Sequence, residues 1–154
     1  MSRSSHRFRV RLASCVFFVG CVVLTLPGRA QDWSQLLGSG LRSGDASTFS
    51  VDASYGLLFA VPMTDAILTS PVVVGDHVYV VDGSGVVAAI EISTGKKRWE
   101  FRTEGGQGNC NNVASPCVID GYVHVGTMAG VYYVLDCRDG KLVRRVDCGE
   151  PIFA

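Results

Sequence analysis

The sequence predicts an all-β chain in which four-stranded antiparallel meanders stack as propeller blades, and three observations lead there. Ser70-Pro71-Val72-Val73-Val74 returns as Ser115-Pro116-Cys117-Val118-Ile119, 45 positions on, and the register holds without a gap from 70–105 to 115–150. A period in this range marks stacked supersecondary units that bury their apolar faces only against one another. Within each copy, Gly-containing gaps separate short β-type runs, the pattern of strands joined by tight hairpins. Several runs are apolar on both faces, such as Val86-Val87-Ala88-Ala89-Ile90 and Val131-Tyr132-Tyr133-Val134-Leu135, so both faces must be covered. No stretch after Ser54 carries an apolar 3.6 period. Sheets are therefore the available cover.

In chain order, residues 1–30 form the first element. Arg3, Arg7, Arg9 and Arg11 precede an uncharged apolar run from Leu12 to Leu26, and Pro27-Gly28-Arg29-Ala30 puts small residues before Gln31. This reads as a secretory signal peptide cut before Gln31, with a periplasmic or secreted product. The alternatives are a retained anchor, for which the 15-residue run is short, and lipidation at Cys21. Residues 31–54, rich in Gly, Ser and Asp, are expected to be an irregular arm, surface-wrapped or mobile. Residues 55–154 are expected to be a partial propeller. It opens with a leading strand, Leu57-Leu58-Phe59-Ala60-Val61, stopped by Pro62, which cannot donate to a ladder.

The first full copy divides into strands at Pro71 to Val74, His77 to Asp82, Val86 to Ile92 and Lys97 to Thr103. The second repeats them around Asp120-Gly121, Gly126 to Gly130 and Arg138-Asp139-Gly140-Lys141. Connections this short join neighbouring antiparallel strands. The fourth strand alternates, with Lys97, Trp99, Phe101 and Thr103 on one face and Arg98, Glu100 and Arg102 on the other, as an outer strand with one wet side would.

Charge and cysteine content narrow the function. The chain is formally neutral, but its first 30 residues hold five Arg and no acid, leaving nine Lys and Arg against fourteen Asp and Glu. This mildly acidic body has no basic stripe for a phosphate backbone, which argues against nucleic acid as a partner. Cys110, Cys117, Cys137 and Cys148 remain after the leader. They allow three disulfide pairings, or Cys117, Cys137 and Cys148 are small buried fillers replacing Val72, Ile92 and Thr103 of the other copy. No C-x-x-C spacing suggests zinc. His77 and His124 lie in or near second strands and read as structural, as do Tyr79, Tyr122, Tyr132 and Tyr133.

Ala89-Ile90-Glu91-Ile92-Ser93-Thr94-Gly95-Lys96-Lys97-Arg98-Trp99 resembles the tryptophan-docking motif of pyrroloquinoline quinone (PQQ)-type propeller repeats, A-x-D-x-x-T-G-K-x-x-W, with Glu91 for Asp. The resemblance implies a blade-docking set of Ala89, Thr94, Gly95 and Trp99, with Trp99 lying flat on a Gly-containing backbone of the next blade, for which Gly140 is the candidate. Burying that indole would be worth a few kcal/mol, about 25 cal/mol per Å². The second copy departs from the motif, with Asp139 for Thr and Arg144 for Trp. A guanidinium can also stack as a plane. Asp32-Trp33-Ser34-Gln35-Leu36-Leu37-Gly38, followed with one residue inserted by Arg42 and Gly44, is similar to the D-W-x-Q-x-x-G-x-x-R-x-G opening of many secreted bacterial members.

The family resemblance implies two functions. The first is a non-enzymatic propeller that binds or scaffolds protein, needs no cofactor, and partners other blades, copies of itself or an unidentified protein. No His-backed nucleophile, paired carboxylates or phosphate-cradling loop can be assigned, so no catalytic or metal-ligating residue is expected. The alternative is a piece of a PQQ-dependent quinoprotein dehydrogenase holding PQQ and calcium on the propeller axis. Such enzymes often carry adjacent cysteines, whereas Cys110 is followed by Asn111, and the acidic residues do not form a calcium loop. The Gly105 to Asn112 loop is a candidate axial rim, or a plain Gly- and Asn-rich turn. Two copies and a leading strand fall short of the ~3 repeats a stable stack needs. The expectation is thus a truncated product, a fragment or one piece of a split propeller, or else a subunit of a ring of copies.

Overall fold

The computed structural model describes residues 32–38, 41, 44, 56–104 and 112–153. The expected leader, most of the arm, and the Gly105 to Asn111 segment with Cys110 lie outside the described residues.

The first sheet contains β1 (Val72–Val74), β2 (His77–Val81), β3 (Val86–Glu91) and β4 (Lys97–Arg102), and the second contains β5 (Cys117–Ile119), β6 (Tyr122–Gly126), β7 (Val131–Asp136) and β8 (Leu142–Asp147). Each is an antiparallel meander with its strands hydrogen-bonded in chain order. The repeat is geometric as well as sequential. The β3–β4 register slips between Ala89 and Ile90, and the β7–β8 register slips between Val134 and Leu135, 45 residues later.

The strands of the first copy are each trimmed by a residue at one end relative to the sequence expectation, for local reasons. Pro71 has no N–H to give. Asp82 N–H still reaches Val86 O, but the Val86 N–H returns to the Asp82 carboxylate, which also accepts from the amides of Thr64, Asp65 and Ser84. Ile92 N–H turns to Asp76 O, and Thr103 N–H to Gly85 O.

The main core lies between the sheets. Val72, Tyr79, Val81, Val87, Ala89 and Trp99 of the first face Val118, Val123, Val125, Val131, Tyr133 and Leu135 of the second. On the first sheet's other side, Val80, Ala88 and Ile90 are covered by Val61 and Met63. Both faces of β3 are thus dry, as its continuous apolar sequence requires.

One expectation needs correction. Gly56 to Met63 is not a strand, because no neighbouring strand bonds to it. The described start of the arm lies outside any strand and wraps the blade edges. Trp33 and Val73 exchange both backbone hydrogen bonds, at 2.6 and 2.7 Å, Ser34 O accepts from Val118 N at 2.8 Å, and Asp32 Oδ1 accepts from Gly75 N. The two sheets come closest along β1 and β5, so this short segment straps their convergent edges together.

Candidate functional site

The candidate site is the set of blade-facing surfaces, beginning with the filled junction. Trp99 is the third residue of β4, next to Ala89 in register. Opposite it, Gly140 sits in the β7–β8 turn at φ +71°, and a Cβ there would lie 2.5 Å from the indole. Only glycine combines that backbone angle with that approach. The indole Nε1–H donates to Cys137 O at 2.9 Å, and the ring meets Tyr79 at 6.0 Å between centroids. Burial and the neighbouring Cys137 thiol push the Tyr79 hydroxyl well above the ordinary tyrosine value, and burial likewise raises the Cys137 thiol. These are neutral packing groups at physiological pH.

The junction continues outward. Arg98 Nε donates to Arg138 O, Phe101 faces Tyr133 at 5.7 Å, the Tyr133 hydroxyl accepts from Glu104 N, and Arg145 Nη2 pairs with Glu104 Oε2 at 2.9 Å. Of the residues the motif singles out, the structure brings Trp99 and Gly140 together and sets Ala89 beside them. Thr94 stays in its own turn, where its hydroxyl donates to Glu91 and accepts from Lys96 N. Gly95 receives the ring of Phe59 at 2.5 Å from the position a Cβ would take. Phe59 escaped the sequence reading as a docking residue, although its spacing before Ser70 was a signal. Asn112 escaped it too. It is fully buried, donates its N–H to Gly83 O and accepts from Met128 N through Oδ1, tying the β2–β3 turn to the β6–β7 turn.

Among the described residues, the second sheet's other face is only partly covered. Shifting the first sheet's junction residues by 45 positions gives Cys117, Ile119, His124, Gly126, Tyr132, Val134, Arg144, Val146 and Cys148 in place of Val72, Val74, Tyr79, Val81, Val87, Ala89, Trp99, Phe101 and Thr103. Ile119 and Val146 are 52% and 41% exposed. His124 Nδ1 lies 2.9 Å from the Tyr132 hydroxyl, and burial holds its imidazole below the usual value, hence neutral at pH 7. Ile152 closes onto Gly126 at one end. Cys137 and Cys148 are free thiols, with Cys137 at the junction and Cys148 on this open face beside Cys117.

A family model described as outer membrane protein assembly factor BamB, a model of the PQQ-like repeat, matches residues 32–151. The chain belongs to the PQQ-like repeat family. No curated protein matches it. Among solved structures, the quinohemoprotein alcohol dehydrogenase of Comamonas testosteroni is similar at 25% identity and a TM-score of 0.63, over 80% of this chain and 20% of that one. A second such dehydrogenase, from Pseudomonas putida HK5, is similar at 23% identity and a TM-score of 0.50, over 57% and 14%. BamB of Moraxella catarrhalis is similar at 22% identity and 0.44, over 53% and 24%. This PQQ-like chain thus spans about a fifth of the length of the first dehydrogenase, and its two sheets are blades of that fold.

Proposed function

We propose that this chain is a non-enzymatic module of PQQ-like blades that binds or scaffolds protein in the periplasm or outside the cell. The observation that carries this reading is the strap at the convergent edge. The resemblance would put PQQ and calcium on the axis, where β1 and β5 approach each other. Here Val73 and Val118 already bond to Trp33 and Ser34, and the Cys117 thiol turns to Gln35 Oε1 at 3.7 Å. Among the described residues no three His, Cys, Asp or Glu side chains gather as a cation site. The described residues at this edge therefore offer no donor set for a quinone with its calcium, which supports the module reading. The open, partly apolar face of the second blade supports a binding role. The family description as an outer-membrane assembly factor and the leader-like start of the sequence support the compartment.

The second reading, a piece of a PQQ-dependent quinoprotein dehydrogenase, is favoured by the likeness to the Comamonas enzyme. One titration separates the two. Purified protein mixed with PQQ and calcium is expected to form no absorbing complex and to show no dye-linked alcohol oxidation. A tight complex with turnover would replace the module reading. In cells, a photo-crosslinker at Ile119 or Val146 is expected to give a discrete protein adduct that one at Lys96, in an exposed turn, does not.

A further inference from the structure

The chain holds three Asp-Gly pairs, Asp82-Gly83, Asp120-Gly121 and Asp139-Gly140, and each lies in a turn between strands. In such a pair the backbone nitrogen most readily attacks the preceding side chain, because glycine puts no Cβ in the way. The attack needs a free carboxyl and a free N–H, and the structure withholds both from two of the three turns. The Asp82 carboxylate takes five hydrogen bonds, and Gly83 N donates to Ala66 O at 2.7 Å. The Asp139 carboxylate accepts from Lys141 N and pairs with Lys141 Nζ at 2.7 Å, while Gly140 N donates to Asp136 O at 2.9 Å.

Asp120-Gly121 is held by neither kind of bond. It is the loop between β5 and β6, with Asp120 at φ +51° and Gly121 at φ +82°, the left-handed pair of a tight hairpin. Among the described residues, no hydrogen bond reaches the Asp120 carboxylate or the Gly121 N–H. Both residues are exposed, and a Cβ on Gly121 would meet nothing within 4 Å. The Gly121 carbonyl, by contrast, is fixed. It accepts from Cys137 N at 3.0 Å, and the Cys137 carbonyl in turn holds the Trp99 indole N–H at 2.9 Å. The first copy makes the same bond, Ile92 N to Asp76 O, but its turn reads Gly75-Asp76, so His77 and not glycine follows the aspartate. A change in backbone length at Asp120 therefore passes through two hydrogen bonds to the blade junction.

We propose that Asp120 is a modification site, at which spontaneous isomerisation to isoaspartate loosens the seat of Trp99 on the second blade. The Gly121 nitrogen gives up its proton and bonds to Asp120 Cγ, and a carboxyl oxygen leaves as water, closing a five-membered succinimide. Water then adds at Cγ and restores aspartate, or adds at the Asp120 main-chain carbonyl carbon and breaks its bond to the Gly121 nitrogen. The second route leaves the chain running through Cγ, one methylene longer, beside a free α-carboxylate. Mass and net charge are unchanged, and no oxidant or cofactor takes part. The inference goes beyond the binding reading and stands whatever the module binds.

The test incubates the whole protein for several weeks in mildly acidic buffer at body temperature, in a Trp33→Phe background that leaves Trp99 as its sole indole. Peptide mapping with electron-transfer fragmentation, which separates the two linkages, is expected to find isoaspartate at Asp120. The bonds that must open first keep Asp82 and Asp139 at least about tenfold slower. Trp99 emission should shift to the red in step with the converted fraction. Asp120→Glu, which would need a six-membered ring, should show neither change, and Asp120→Asn, which releases ammonia instead of water, should reach the same product faster. Isoaspartate at Asp82 or Asp139 before Asp120, or none at Asp120 while a free peptide of residues 117–124 converts, would overturn the proposal. So would conversion at Asp120 with Trp99 emission unchanged, or the same emission shift in Asp120→Glu. The quinone titration and the crosslinking bear on the module reading alone.

Discussion

At the residue scale, two glycines with nearly the same backbone separate steric from conformational demand. Gly140 and Gly75 have φ of +71° and +58°, but a Cβ at Gly140 would strike Trp99 whereas one at Gly75 meets nothing within 4 Å. Gly75→Ala should cost about 1 kcal/mol, the ordinary left-handed penalty for an L residue. Gly140→Ala should cost at least ~3 kcal/mol, since the indole must also move. The difference in urea midpoints between the two variants measures the docking contact. Trp99→Ala should lose about 3–5 kcal/mol as a buried aromatic, and Trp99→Phe less, since it keeps the stack but forfeits the bond to Cys137 O. Asp82 is fully buried and takes five hydrogen bonds, from the amides of Thr64, Asp65, Ser84 and Val86 and the Ser84 hydroxyl. Asp82→Asn turns one acceptor oxygen into a donor facing N–H groups, and should cost roughly 3 kcal/mol or more by the same measurement. Trp99 and Gly140 could be named from the sequence because their motif is local. Asp82 reads in the sequence only as a strand end, since two of its partners lie 17 and 18 residues away. Phe59 was hidden because its ring is not the motif's indole.

At the scale of elements, strands and turns were legible because short loops leave only one pairing, and strand ends were not, because they depend on where individual amides go. The leading segment shows the limit. Its composition is that of a strand, yet a strand exists only with a neighbour to bond. The turn after β7 makes a test in which pH acts on one element. Asp136 accepts from Arg138 Nε, Nη2 and N–H, and the guanidinium bonds hold its carboxyl down to about 2 from the ordinary 3.8. A depressed carboxyl contributes its full stabilisation above 3.8, and that contribution disappears as pH falls through about 2. The pair is exposed, so the effect on global stability is small. The carboxyl carbon resonance of Asp136 should therefore titrate near 2, and Arg138→Gln should move its midpoint up toward 3.8. A midpoint already near the ordinary value would show that the fork does not persist in solution.

For the whole molecule, two blades converge at one end and splay at the other, and they are fastened differently at each. The splayed end is closed by side chains, Trp99 on Gly140 and Arg145 on Glu104. The convergent end is closed by the strap of Asp32 to Gln35, whose three backbone bonds to β1 and β5 are worth about 1 kcal/mol each. In a repeat stack, stability is the sum of unit and junction contributions, so weakening a junction lowers cooperativity as well as the midpoint. Deleting Asp32 to Gln35 should therefore cost about 2–4 kcal/mol and separate the unfolding of the two blades. The chain has two tryptophans, and the deletion leaves Trp99 as the sole indole, a reporter of the junction. Against a Trp33→Phe reference, in which Trp99 fluorescence and far-UV circular dichroism should report one coincident urea transition, the deletion should move the fluorescence midpoint below the dichroism midpoint. The junction then opens while the meanders persist. Coincident transitions at an unchanged midpoint would mean that the strap rests on the blades without holding them, and would take away the argument that it fills the axial edge.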